Sequence, residues 1–439
     1  MIEERSSFRD PASKVYYGEQ GVERLIFKAY HADYDKLMKS GLYEELTREG
    51  LLIRHDEMYR AESVISIRPE VVPFISYPYE WCFSMLKKAA LNTLRINSIA
   101  MDYDMCLKDA TAYNIQYHAG EMKLIDTCSF MTFPAGQPWG AYRQFLQHFL
   151  YPLLLMKYRN PTLGRLSEIF LDGIPASVAA QLLPAKLRLN VSAWAHLYGQ
   201  ALNGTVTQGK DIRMSKLAFN ALLINLERFI AGLEYKVKKT TFTQYNEGDS
   251  YTDRGAKGKF ALIQSLLSLS SGSFLDIGCN TGFYAAIAKE DYDYENVVAV
   301  DFDHDCIDSL WNADKELLPL IINITNPSPA IGWDNTERKS FWERVNVDTI
   351  MALALIHHLC IGNNVPLYKV AQLMAGHCCN LIIEFVPLDD PKAQLLLGKK
   401  NIPPYSLDIF KAEFGKYFTI AGEYPIEDSK RTIYRMVRR

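Results

Sequence analysis

Ser273-Phe274-Leu275-Asp276-Ile277-Gly278-Cys279-Asn280-Thr281-Gly282, followed by an apolar helical stretch and then Val297-Val298-Ala299-Val300-Asp301, decides the fold of the second half of this 439-residue chain. The segment reads as strand, glycine turn, helix and strand, with an acidic residue at the end of each strand. Gly278 and Gly282 let the backbone approach a ligand without interference from a Cβ, and the helix they open, 283–289, begins with N–H groups that have no intrahelical partner. Asp301 stands where the next parallel strand should end, a position from which a carboxylate accepts hydrogen bonds from both hydroxyls of a ribose. Together these features describe a nucleoside-binding crevice.

Outward from that segment, β and α patterns alternate. Strands are expected at 274–277, 297–301, 320–324, 348–354 and 380–385, helices at 258–269, 283–289, 306–314 and 367–374, and a closing pair of strands at 418–424 and 432–437. Short, nearly unbroken apolar strands separated by helices predict an α/β fold with a mainly parallel sheet covered on both faces. The last two strands have no helix between them and suit an antiparallel edge.

The spelling of the turn narrows the ligand. A dinucleotide site wants G-x-G-x-x-G so that pyrophosphate can rest on the helix N-terminus, whereas here Asp276-x-Gly278-x-x-x-Gly282 puts a carboxylate at the opening. That charge repels pyrophosphate and suits an ammonium or sulfonium group. The pattern resembles class I S-adenosylmethionine-dependent methyltransferases, with a Rossmann-like sheet and S-adenosylmethionine as cofactor. The resemblance implies that Asp276 positions the methionine moiety, that Gly278, Cys279, Asn280 and Gly282 wrap it, and that Asp301 holds the ribose. It also implies that Phe302, Asn323, Ile324 and Leu355 line the rest of the site, Asn323 at the adenine edge. Asn326-Pro327-Ser328-Pro329 is superficially like the N-P-P-aromatic signature of enzymes that methylate amino groups of bases, but it falls one strand too early and lacks the aromatic.

Ligands in open α/β sheets lie beyond the carboxyl ends of the strands, and the strand 348–354 runs into Leu355-Ile356-His357-His358-Leu359. His357 and His358 are therefore candidate active-site residues, as crevice lining or as a general base that takes the acceptor's proton. Glu384, closing the strand 380–385, is either a base whose pKa is raised by burial or a carboxylate paired with a neighbouring group. Asp389 and Asp390 read as solvated loop charges. Methyl transfer needs chiefly alignment and exclusion of water, so a missing base would not argue against it.

With 48 basic and 51 acidic residues the formal net charge is -3, which gives no global reason to expect nucleic acid or an anionic membrane as partner. The eight cysteines show no paired C-x-x-C spacing, so neither a disulfide framework nor a metal site is expected. Met1-Ile2-Glu3-Glu4-Arg5 carries no export signal, and a cytoplasmic location is expected. The apolar run 145–156 contains Gln147, His148 and Pro152, is too short to span a bilayer, and reads as a core helix.

The organisation expected is an N-terminal domain over 1–235, α+β to about residue 135 and mainly helical after, then a linker over 236–259 and a methyltransferase-like domain over 260–439. Tyr245 and Tyr251 either cover the crevice or lie solvated in the linker. In the N-terminal domain, Leu107-Lys108-Asp109-Ala110-Thr111-Ala112-Tyr113-Asn114 and, further on, Asp126 resemble the catalytic loop and metal-binding aspartate of kinase-like folds. The resemblance implies Asp109 as base and Asn114 and Asp126 as metal ligands, but no glycine-rich phosphate loop or strand lysine accompanies them, and Asp126 precedes Thr127-Cys128 instead of Phe-Gly. Asp and Asn in a loop between hairpin strands can equally be turn formers.

With Trp139-x-x-Tyr142-Arg143-Gln144-Phe145, Leu353-Ala354-Leu355-Ile356-His357-His358-Leu359 and Ile383-Glu384-Phe385-Val386-Pro387, the chain as a whole resembles a bacterial family related to a rhizobial host-specific nodulation protein. Members of that family are class I methyltransferases with a long N-terminal extension. The expected activity is methyl transfer to an unidentified acceptor, a small molecule or carbohydrate; the alternatives are a non-catalytic regulatory binding module and a bifunctional enzyme with phosphotransfer in its first half.

Overall fold

A computed structural model describes residues 2–19, 21–203, 213–237, 251–292, 294–313 and 315–439. The chain divides into two compact units, one of Met1–Lys236 with Ala330–Lys339 and one of Val237–Pro329 with Ser340–Arg439. Among the described residues, no helix is long and apolar enough to cross a membrane.

The first unit begins with a five-stranded antiparallel sheet in the spatial order Ile2–Glu3, Ser13–Gly18, Gly21–Phe27, Val64–Pro69, His55–Arg60. The twenty-residue helix Phe83–Asp102 follows, then the pair Met105–Leu107 with Phe130–Thr132 and the hairpin Ile115–His118 with Glu121–Leu124. After these the chain is mainly helical. The expected core helix is there, continuous from Tyr142 to Tyr158 through one wide turn, with Phe145, Leu146, Phe149, Leu150, Leu153 and Leu154 fully buried.

Residues 330–339, expected in the C-terminal domain, belong to the first unit. The reason lies in their side chains. Glu337 accepts from Arg9 Nη2 at 2.9 Å, the Arg338 guanidinium lies 4.3 Å over the Tyr113 ring, and Lys339 N donates to Tyr77 Oη at 3.0 Å.

The second unit is built on one seven-stranded sheet. In chain order its elements are α1 (Asp253–Leu267), β1 (Gly272–Ile277), α2 (Phe283–Asp291), β2 (Tyr294–Asp301), α3 (His304–Asn312), β3 (Leu318–Ile321), β4 (Val347–Ala352), α4 (Leu367–His377), β5 (Cys378–Phe385), α5 (Pro391–Leu397), α6 (Leu407–Gly415), β6 (Phe418–Pro425) and β7 (Thr432–Arg438). The spatial order is β3-β2-β1-β4-β5-β7-β6, with β1 to β5 parallel and β7 antiparallel to both neighbours. This is the Rossmann-like α/β sheet with an antiparallel edge that the strand and helix pattern predicts. Strands covered on both faces need apolar residues at successive positions, and Phe274, Leu275 and Ile277 in β1 and Ala299 and Val300 in β2 are at most 1% exposed.

Most element boundaries shift by two or three residues from expectation, and two of the differences bear on the site. Helix α1 starts at Asp253, capped by Thr252 Oγ1 accepting from Gly255 N at 3.1 Å, so the expected linker over 236–259 is already helix in its last seven residues. Tyr245 and most of that linker lie outside the described residues. Strand β3 ends at Ile321 and not at 324, because Asn323 turns the chain with its Oδ1 accepting from Thr325 N at 3.0 Å and Thr325 Oγ1 at 2.8 Å.

The sharpest packing constraint is at Gly282, which caps α2 at φ 74°; a Cβ there would stand 2.4 Å from Leu310 Cδ2 of α3. Gly282→Ala combines left-handed strain with overpacking and should destabilise the second unit by about 2–3 kcal/mol, read from its denaturant midpoint. An unchanged midpoint would show that Leu310 yields without cost.

Candidate functional site

At the carboxyl end of β1 the turn is held by the neighbouring strand. Gly278 N and Cys279 N both donate to Val300 O, at 2.8 and 3.1 Å, and Asn280 N donates to Asp301 Oδ2 at 2.9 Å. These three N–H groups, which a phosphate cradle would need free, are occupied. Gly278 has φ 75°, and a Cβ on it would come 3.3 Å from Leu355 Cδ1, so the loop after β4 closes directly on the turn.

Two carboxylates face this crevice in different states. Asp276 is 4% exposed, and burial, reinforced by the neighbouring charge of Asp301, pushes its pKa up to about 8, against the opposing pull of Lys259. Asp301 is raised by burial too, but Asp303 N and Asn280 N hydrogen-bond its carboxylate at 2.9 Å each and oppose the rise. The Phe302 backbone N–H acts on the same carboxylate, so three backbone donors occupy most of its about four lone-pair sites, and the remaining capacity is what a ribose hydroxyl would use. Phe302, next in the chain, is 55% exposed and offers its ring at the strand end.

Of the remaining expected lining residues, Asn323 is exposed and its Oδ1 is taken by Thr325, which leaves only its amide N–H groups for an adenine edge. Ile324 is half-buried and lines a cavity of about 530 Å³ with Leu359 and the α4 residues Lys369, Val370, Leu373 and His377.

The two histidines separate in role. His357 is 2% exposed, its Nδ1 is buried without a hydrogen-bond partner, and burial with the adjacent His358 lowers its pKa to about 3. His358, with ring centroid 4.3 Å from that of His357, remains half-exposed; burial and Arg431 lower its pKa, so it stays neutral near pH 7.

Glu384 is the main correction. It is fully buried, and burial alone would raise its pKa as the sequence reading expected, but Lys259 and Arg431 outweigh that and hold it below the ordinary carboxylate range. Lys259 Nζ lies 3.2 Å and Arg431 Nη1 3.4 Å from the carboxylate, Tyr251 donates its hydroxyl to it, and Ala354 N donates at 3.2 Å. A carboxylate so compensated is a poor proton acceptor. Tyr251, at 6% exposed, is no solvated linker tyrosine. Asp390, read as a solvated charge, is also buried, with Arg431 Nε and Nη2 at 2.8 and 3.2 Å from its two oxygens. Asp389 is ion-paired with Lys430 at the surface.

Lys259 and Arg431 were missed by sequence reasoning. For Lys259 a signal existed: it shares the helical face of Ile263, Leu266 and Leu267, where a lysine needs an internal partner. Arg431 follows a hairpin turn and carries no local signal.

In the first unit, Asp109, Asn114 and Asp126 do converge. Asp126 takes Arg24 as ion-pair partner and accepts from Cys128 N at 3.1 Å and Ser129 Oγ at 2.6 Å. Asn114 Nδ2 donates to that same Ser129 Oγ at 3.2 Å, and Asp109 accepts from Thr111 N at 3.1 Å with its pKa raised by burial and by Asp126. A metal-binding aspartate needs open lone pairs, and here an arginine fills them. Among the described residues no group of three or more His, Cys, Asp or Glu side chains could hold a metal ion.

Asp276 yields a sign-definite test. Its folded pKa lies above the unfolded value of 3.8, so between about pH 4 and about pH 8 the unfolded chain sheds a proton that the folded one keeps, and stability falls as pH rises. Asp276→Asn should therefore gain melting temperature over the parent progressively from pH 5 to pH 8, with no gain at about pH 4; a constant difference would remove the shift.

No protein-family model matches the chain. It is 30% identical to nodulation protein NoeA of Rhizobium meliloti (strain 1021) over 457 aligned positions, covering 98% of this chain and 95% of that protein. Among solved structures, magnesium protoporphyrin IX methyltransferase (ChlM) from Synechocystis PCC 6803 with bound SAH is 14% identical, covers 45% of this chain and 89% of its own, and has a TM-score of 0.31. An S-adenosylmethionine-dependent methyltransferase from Clostridium acetobutylicum ATCC 824 is 11% identical over 43% of this chain and 94% of its own, also with a TM-score of 0.31.

Proposed function

The chain belongs to the family of nodulation protein NoeA, and from that premise we propose that its second unit transfers a methyl group from S-adenosylmethionine to an acceptor. The observation that carries this reading is the β1 turn: its N–H groups are engaged by β2, while the carboxyls of Asp276 and Asp301 stand at the strand ends. The occupied N–H groups leave no cradle for phosphate, and two carboxyls at the strand ends suit a ligand with a cationic amino-acid end and a ribose.

In this reading Asp276 takes the amino group, Asp301 the ribose hydroxyls, and Phe302, Asn323 and Ile324 flank the adenine. Leu355, packed on Gly278, shields the reacting end from water. When bound, the cofactor supplies a methyl group already activated on a sulfonium centre. The protein's share is to align an acceptor with that methyl group and exclude water. His358, neutral and half-exposed beyond β4, is placed to accept a proton from an acceptor, while His357 packs behind it. Glu384 has no role as a base in this scheme.

Calorimetric titration with S-adenosylmethionine tests the assignment, and absence of binding by folded, cofactor-free protein would refute it. Asp301→Ala should weaken binding by about 1–3 kcal/mol, roughly fivefold to 150-fold, through loss of charge-assisted hydrogen bonds. His358→Ala should leave cofactor affinity within about threefold while slowing turnover by about a hundredfold or more once mass analysis of labelled extract identifies the acceptor; equal turnover would exclude His358 as base.

A further inference from the structure

The charged network at the carboxyl end of β5 reaches back to the cofactor turn, and its significance rests on the reading of that turn as an S-adenosylmethionine site. Asp276 of β1 is in register with Met351 of β4, and Met351 with Ile382 of β5. Residues in register on parallel strands share a face of the sheet, and Glu384, two positions beyond Ile382, shares it as well. Asp276 and Glu384 thus project from one face, two strands across and two residues along, about 12 Å apart.

Helix α1 brings Lys259, 3% exposed, to this region, with Nζ 3.2 Å from Glu384 Oε2 and 3.3 Å from Tyr251 Oη. The same Tyr251 hydroxyl receives Arg431 Nη1 at 3.0 Å, and Arg431 is fixed in turn by Asp390. The ammonium is therefore anchored and cannot swing.

The groups acting on Asp276 are Asp301 of β2, Cys279 of the turn and Lys259 of α1, with Asp303 and Cys306 beside Asp301 and Cys279. Those acting on Glu384 are Lys259, Arg431 and Tyr251, with Asp390 and His357 close to Arg431. Lys259 belongs to both sets. We propose that Lys259 is a positioning residue: Glu384 and Tyr251 fix its ammonium so that its charge bears on Asp276, and this balance sets how readily the turn takes the cofactor's amino group.

The two partners of the balance can be removed separately. Affinity for S-adenosylmethionine, measured by calorimetry from about pH 6 to about pH 9, should rise with the ionisation of Asp276 and turn over where an α-amino group loses its proton, near pH 8. Lys259→Met removes a charge that favours the carboxylate, so the rising limb should move to higher pH. Glu384→Gln leaves the Lys259 charge less compensated, so the limb should move to lower pH. Lys259→Arg should keep it within about 0.3 of a pH unit of the parent.

Opposite displacements of about half a unit or more would support the proposal. Weakened affinity with an unmoved limb, or displacement of both variants in one direction, would overturn it, since a purely structural role predicts that pattern. If circular dichroism shows Lys259→Met unfolded, Glu384→Gln decides alone, a downward displacement supporting the proposal and any other result overturning it. Failure of the parent protein to bind at every pH would sink the cofactor reading itself, a result distinct from binding with unmoved limbs.

Discussion

A carboxylate taken wholly out of water must be answered by charges and donors at the place where it stands, and Glu384 imposes that requirement on the second unit. Its partners come from three separate stretches of chain: Tyr251 and Lys259 ahead of β1, Ala354 after β4, and Arg431 just before β7. Removing one partner of such a pair leaves a buried charge uncompensated, at about 3–5 kcal/mol. The compensation is also what orients the loop after β4. Ala354 sits at φ 48°, a region an L-residue rarely occupies, and its N–H is turned onto Glu384 Oε2. Leu355 then falls against Gly278 and the two histidines take their different depths.

Seen this way, the crevice has two chemically unlike walls. On the β1–β2 side the carboxyls of Asp276 and Asp301 are crowded and reluctant to ionise. On the β4–β5 side, acid and base are paired one for one, Glu384 and Asp390 against Lys259 and Arg431. A cation entering the first wall relieves it. The second wall carries no net charge of its own.

What could be read in the sequence was what depends on neighbours in the chain. Asp276, Gly278, Gly282 and Asp301 lie within one strand-turn-helix-strand unit, so their spacing carried their geometry, and the alternation of strands and helices carried the sheet. What escaped depended on distant residues. Glu384 looked the same in sequence whether it was to be a raised acid or a paired anion; Lys259, far ahead of it in the chain, and Arg431, 47 positions away, made the difference. Asp126 likewise sat at the spacing of a metal ligand, and Arg24, 102 positions earlier, turned it into an ion pair. Helix α5 carries its leucines in one short run, from which no helical period develops, whereas α6 does have Leu407, Phe410 and Phe414 at helical spacing, a signal the sequence held.

The ten residues 330–339, which complete the first unit from within the connection between β3 and β4, bear on how the protein is made. A ribosome delivers the chain from its N-terminus, and domains ordinarily fold as they emerge. Here Arg9 and Tyr77 wait for Glu337 and Lys339, so the first unit is finished only after β1, β2 and β3 of the second have been synthesised. Neither unit is a continuous length of chain. A cut at residue 236 would free a fragment lacking part of its own packing, and shuffling by simple end-to-end fusion could not have inserted or removed either unit intact.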